Sequence, residues 1–179
     1  MKKHILFVAG TLLLLASSTL FAQSSDAVKK LAQSLRNHQS MEVSFTYQTI
    51  GDATQKEEAK EGKAFFQDGA YKLIMEDQHV FSDGKTIWHY IVEDEEVMVG
   101  NATDDDNPYK ILDNLEKDSS GLNPVIDQKG NLKSIEVEID EGIKLMINIK
   151  EMKFDQEYRK DFFTFDEKAY PDVEIIDMR

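Results

Sequence analysis

GKAFFQDGAYKLIMEDQHVFSDGKTIWHYIVEDEEVMV, residues Gly62–Val99, is the stretch whose reading decides the fold. Its short apolar runs are cut at Asp68-Gly69, at Glu76-Asp77-Gln78, at Asp83-Gly84 and at Glu93-Asp94-Glu95. Asp-Gly between β-rich runs signals a hairpin, because a type I′ turn needs positive φ at both central residues. Turns at this spacing predict a meander of about five antiparallel strands. Tyr71, Leu73 and Met75 share one face of it, opposite Lys72 and Glu76. Over Lys85–Val92, residues Thr86, Trp88, Tyr90 and Val92 share a face, but Ile87 and Ile91 are apolar on the other. Cover is therefore expected on both sides of that strand.

The flanking segments extend the same pattern. Upstream, Met41–Thr49 alternates, with Met41, Val43, Phe45, Tyr47 and Thr49 on one side and Glu42, Ser44, Thr46 and Gln48 on a wetter one. Gly51–Glu61 is charged and aperiodic, which predicts an exposed turn. Before it, Val28, Leu31, Ala32 and Leu35 recur at helical spacing and predict a helix over Ser24–Asn37, with Ser25 or Asp26 as its cap. Downstream, Leu132–Asp140 and Ile143–Lys150 alternate around Glu141-Gly142 and predict a hairpin. Met152–Phe154 reads as a short strand, Asp161–Asp166 as the last full one, and Pro171–Ile176 as an extended tail. Asn107-Pro108 opens a short helix in which Ile111, Leu112 and Leu115 form an apolar patch. Asp118–Gly130, with Pro124, reads as a loop.

The chain starts with a short basic segment, Met1-Lys2-Lys3-His4, followed by the apolar run Ile5–Leu15 and the small-residue stretch Ala16–Ala22. That layout predicts a secretory signal peptide over residues 1–22, cleaved near Ala22. The run falls short of the roughly 20 apolar residues that span a bilayer. Residues 23–179 are one domain by length. The formal net charge is −13, and it becomes more negative once Lys2 and Lys3 leave. Binding to nucleic acid or an anionic membrane needs the opposite sign. With no cysteine in the chain, stability has to come from packing.

Residues that could carry chemistry do not converge. No cysteine nucleophile is present, the serines lack a Gly-x-Ser-x-Gly setting, and His79 and His89 lack metal-ligand spacing. The three consecutive aspartates of Asn101–Asn107 lack the alternate-position spacing of a calcium loop. Gly62, Gly69 and Gly84 belong to hairpin turns or strand starts rather than to a phosphate loop. No catalytic residue, metal or other cofactor is expected. An antiparallel sheet carrying Phe45, Tyr47, Tyr71, Leu73, Met75, Trp88 and Tyr90, with two short helices to cover it, has two fates. It closes into an ordinary core or leaves room for a hydrophobic ligand, and periodicity does not separate the two.

Several motifs do carry a resemblance. Gly62 and Phe65, followed by Phe81-Ser82-Asp83-Gly84-Lys85-Thr86-Ile87-Trp88-His89-Tyr90, resemble the LolA family of periplasmic outer-membrane lipoprotein carriers. Asn107-Pro108-Tyr109-Lys110-Ile111-Leu112 is similar to that family's lid helix. Gly130-Asn131-Leu132-Lys133 and the ending Phe163-Thr164-Phe165 with Val173–Arg179 also fit. The resemblance spans nearly the whole exported part and is nearest to the Bacteroidetes-like branch.

It implies an α+β, mainly β fold: a curved antiparallel half-barrel with an N-terminal helix and a short lid helix on its concave face. It also implies a non-enzymatic, monomeric periplasmic carrier that takes acyl chains of lipoproteins from an inner-membrane ABC-type release complex to an outer-membrane acceptor. The site implied for the acyl chains is Phe45, Tyr47, Tyr71, Leu73, Met75, Trp88, Tyr90, Ile111, Leu112 and Leu115. A dozen methylenes exposed to water represent roughly 10 kcal/mol, so such a carrier needs an apolar cavity. Other lipids are an alternative cargo. The alternative function is a periplasmic lipid-sensing or regulatory binding protein on the same sheet. Two departures stand out. Asp68-Gly69 replaces the family's Arg-Pro latch, and Asp118–Lys129 stands where the family has an extra hairpin, which predicts a smaller sheet.

Overall fold

The computed structural model describes residues 25–51, 58–103, 110 and 122–179. Within them one helix, α1 (Ser25–Arg36), precedes the strands β1 (Ser40–Ile50), β2 (Lys60–Gln67), β3 (Ala70–Ile74), β4 (Gln78–Ser82) and β5 (Thr86–Ile91). Then come β6 (Glu96–Asn101), β7 (Leu122–Ile126), β8 (Leu132–Asp140), β9 (Ile143–Phe154) and β10 (Glu174–Asp177). All ten lie in one sheet in the order β10-β6-β5-β4-β3-β2-β1-β9-β8-β7. The sheet is curved and unclosed, a half-barrel of mostly β, α+β architecture. Its pairs are antiparallel except for β10, which runs parallel to β6. The expected leader, the loop residues 104–107 and the lid residues Ile111, Leu112 and Leu115 lie outside the described residues, as do the side chains of Ser25 and Asp26.

The expected meander is β2–β6, and its turns follow from local chemistry. Asp68 (φ 52°) and Gly69 (φ 81°) both adopt left-handed φ, as a type I′ turn requires. Asp83-Gly84 is built differently. Only Gly84 of that pair has positive φ, and the Asp83 carboxylate accepts from the amides of Lys85 and Thr86. The side chain thus supplies the turn's acceptor, and four residues separate the last pair, Ser82 and Ile87, against two at Asp68-Gly69.

Three expectations need correction and a fourth is sharpened. Asp118–Gly130 is not wholly a loop, because β7 forms there as the outermost strand beside β8. An edge strand tolerates Pro124, whose missing N–H costs no ladder bond on the open side. Met152–Phe154 is not a separate strand but the end of β9, carried there by a bulge. Ser44 pairs with Glu151 and Phe45 with Ile149, which leaves Lys150 as the extra residue. Asp161–Asp166 is no strand. Lys160–Phe163 forms a 3-10 turn, and the Asp161 carbonyl accepts from both the amide and the hydroxyl of Thr164. The tail expected to be extended over Pro171–Ile176 is so from Glu174, and there it pairs with β6 as β10.

Residues paired across neighbouring strands point to the same face, so the register sorts every side chain. One face carries Val43, Phe45, Tyr47, Ala64, Phe66, Leu73, Ile147 and Ile149, and α1 lies over its β8–β9 end. The other carries Lys72, Phe81, Trp88, Tyr90, Val97 and Val99, packed under the segment that follows β9. Phe163 and Phe165 of that segment are buried against it at 2% and 8% exposure. At roughly 1.5–3 kcal/mol per fully buried large side chain, these two aromatics are a substantial part of the fold's stability.

Candidate ligand-binding face

The helix-side face is an apolar surface that continues across the sheet. Val43, Phe45, Tyr47 and Ala64 form its buried centre, with Met41, Phe66, Leu73, Met75, Leu145, Ile147, Ile149 and Met152 half-buried around them. Register carries the same face onward through Tyr71 to Val80, Ile87 and Ile91, and Met98. Each of these is only half-buried, whereas their neighbours on the opposite face, Phe81, Tyr90, Val97 and Val99, are buried. The sheet therefore has its tight core on the tail side over β4–β6. Its helix side there is left partly open to solvent.

At the other end of this face, α1 closes down. Leu31, Ala32, Leu35 and Leu132 are buried together, and Met41, Ile149 and Met152 pack against them. The bulge at Lys150 makes this possible, since one extra residue returns Met152 to the side of Ile149. Between α1 and β8–β9 runs a groove of about 300 Å³, walled by Leu31, Leu35, Leu132, Ile149 and Met152, with His38 and Lys133 also on its lining. Ile149 and Met152 belong to both the helix cluster and the central one, so the two clusters join under α1.

Two polar pairs mark this face. The Tyr47 hydroxyl accepts from the Glu76 amide and donates to the Asp77 carboxylate, each at 3.2 Å. Burial raises the Tyr47 pKa, and the Asp77 and Glu76 charges add to that while the Glu76 amide opposes it. His89 Nε2 lies 2.6 Å from Gln78 Oε1. Such an arrangement can hold apolar matter and fix its edges, but it brings no nucleophile to a base. Among the described residues, no group of His, Asp or Glu side chains is placed to hold a metal ion, and no helix is long and apolar enough to cross a membrane.

The expected site residues divide. Phe45, Tyr47, Leu73 and Met75 come together on this face, and register adds Tyr71 through its pairing with Phe66. Trp88 and Tyr90 do not join them. Trp88 pairs with Phe81, which pairs with Lys72, and so lies on the side opposite Leu73. Tyr90 is buried there against Phe165 and Tyr170, ring centroids 6.3 and 5.0 Å away. These two aromatics belong to the tail-side core, which corrects their assignment to one apolar floor. Their places are taken by Phe66, Val80, Ile87 and Met98, and the sequence signal for them is parity counted across the hairpins.

No family model and no curated protein matches this chain. Solved structures do match it. An uncharacterized conserved protein from Thermus thermophilus superposes with a TM-score of 0.53 at 8% identity, covering 87% of this chain and 99% of its own. A LolA superfamily protein from Nitrosomonas europaea superposes at 0.45 and 8% identity, over 79% of this chain and 97% of its own. A DUF1329 family protein from Desulfovibrio piger does so at 0.39 and 11% identity, over 78% and 97%. The last two scores are too low to carry an argument. At its level of identity the first likeness bears on the fold alone: the chain shares its half-barrel with the Thermus protein.

Proposed function

We propose that this chain is a non-enzymatic carrier that holds acyl chains of lipoproteins, or of other lipids, on the helix-side face of its half-barrel. The observation that supports this most is the number of half-buried apolar side chains on that face. Half-buried Phe66, Leu73, Val80, Ile87 and Met98 share the face on which the groove beneath α1 lies, with Ser82 and the His89–Gln78 pair set among them. Soluble proteins rarely leave an apolar surface of this extent without a partner for it. The order of LolA-like motifs in the sequence points to the same cargo. In this reading residues 1–22 are a cleaved export signal and the carrier works in the periplasm. It receives cargo from an inner-membrane ABC-type release complex and passes it to an outer-membrane acceptor. Direction follows from the relative affinities of donor, carrier and acceptor.

The test is native mass spectrometry of protein purified from the periplasm. The parent chain should carry an acylated molecule. Leu73→Glu and Phe66→Glu should lose it, because a carboxylate in an acyl-lined site costs several kcal/mol unless it is paired. Glu167→Gln, exposed on the tail segment, should keep it. Cargo retained by both charged variants, or none on the parent chain, would overturn the proposal.

A further inference from the structure

Behind the apolar face, on the tail side, lies a second and separate cavity. A cleft of about 540 Å³ opens between β3–β4 and residues 157–170, within the size range of small-molecule sites. Lys72 lines it. Its ammonium lies 5.0 Å from the ring centre of Phe81 and 4.4 Å from that of Phe162. One ring belongs to the sheet and the other to the tail. Burial alone lowers the Lys72 pKa, with no carboxylate contributing. An ammonium has three donors and ring faces satisfy them poorly, so its hydrogen-bonding capacity is left to whatever enters the cleft.

The remaining charges limit what that is. Arg159 is occupied by Asp161, and Asp166 accepts from the Lys168 amide. Glu157 lines the cleft as well, so carboxylates outnumber the cations. A doubly charged phosphate would meet more repulsion than attraction there, while a single charge can be matched by Lys72. The rest of the wall is aromatic, with Tyr158 stacked on Phe162 at 4.8 Å and Tyr170 on Phe165 at the same distance.

We infer that this cleft binds small amphipathic monocarboxylates, the carboxylate on Lys72 and the apolar body against Phe162 and Tyr170. The site is independent of the acyl-binding face, because Lys72 and its neighbour Leu73 point to opposite sides of the sheet. Calorimetric titration with decanoate and with 1-decanol, both below aggregating concentrations, tests it. The parent chain should bind decanoate and prefer it to decanol. Lys72→Met keeps the packing stem and should lose at least about tenfold in decanoate affinity, the size of one modest ion pair. Lys72→Arg keeps the charge and should retain the preference for decanoate over decanol. Equal affinities for decanoate and decanol would overturn the inference. So would an unchanged preference for decanoate in Lys72→Met, or no decanoate binding by the parent chain.

Discussion

Gly62 shows how much of this sheet depends on single atoms. It lies inside β2, opposite Phe45, not at a turn or strand start as expected. A Cβ there would come within 2.5 Å of the Phe45 ring, which is itself only 6% exposed and has little room to give. Replacing Gly by Ala stabilises a compatible site by roughly 0.4–1 kcal/mol through the unfolded chain. Overpacking a tight core costs about 1–3 kcal/mol. The second effect should win, so Gly62→Ala should lower the urea midpoint, and an unchanged or higher midpoint would refute the packing argument. Tyr158 offers a test by pH. Its hydroxyl donates to Glu42 at 3.1 Å, and burial, followed by that hydrogen bond and then the Glu42 charge, pushes its pKa from 10.0 up to about 12. The folded chain keeps this proton where the unfolded chain releases it. Stability from this group is therefore complete below about pH 10 and is lost as pH rises through 12. Lysines titrate in the same window, so the measure is the difference between the parent chain and Tyr158→Phe. The parent should lose stability more steeply between pH 10 and 12, and parallel curves would contradict the assignment.

At the scale of elements, what could be read in advance was what local pattern controls. Helix α1 and strands β1, β8 and the start of β9 follow their alternation to within a residue or two, and the meander follows its turn residues. The apolar face was legible wherever one side of a strand is wet, as at Tyr71, Leu73 and Met75 opposite Lys72. It was not legible at Thr86–Ile91, where both sides are apolar and the eye goes to the aromatic one. Parity was available all the same. The two-residue turn at Asp68-Gly69 pairs Gln67 with Ala70, and counting on through Phe65, Lys72 and Phe81 puts Trp88 behind the sheet. The bulge at Lys150 and the 3-10 turn at Lys160–Phe163 were out of reach for a different reason. Each breaks local alternation to satisfy a distant partner: α1 in one case, and in the other Phe65 on β2, against which Phe162 packs edge-on at 5.1 Å. The face's centre could thus be read, while its extent required the assembled sheet.

For the molecule as a whole, the question is whether the segment after β9 is an ornament or part of the core, and its two halves should answer differently. In β10 every residue is exposed, with Ile175 at 43% and Ile176 at 37%. Its ladder on β6 and the bonds from Glu174 to Glu95 and from Met178 to Val99 contribute about 1 kcal/mol each. Ordering each of those residues costs about 1–2 kcal/mol. A chain ending at Val173 should therefore fold with a melting temperature within a few degrees of the parent. Residues 157–170 are another matter. Removing them strips the cover from Phe81, Tyr90, Val97 and Val99, now 8% exposed or less, and deletes buried Phe163 and Phe165. With the helix-side face already half open, a chain ending at Gln156 would present apolar surface on both sides of one sheet and free edges for pairing. It should aggregate, or fail to melt cooperatively, in size-exclusion chromatography and circular dichroism. If the longer truncation stays monomeric and melts like the parent, the tail side is not the core, and the asymmetry that leaves the other face free for cargo disappears with it.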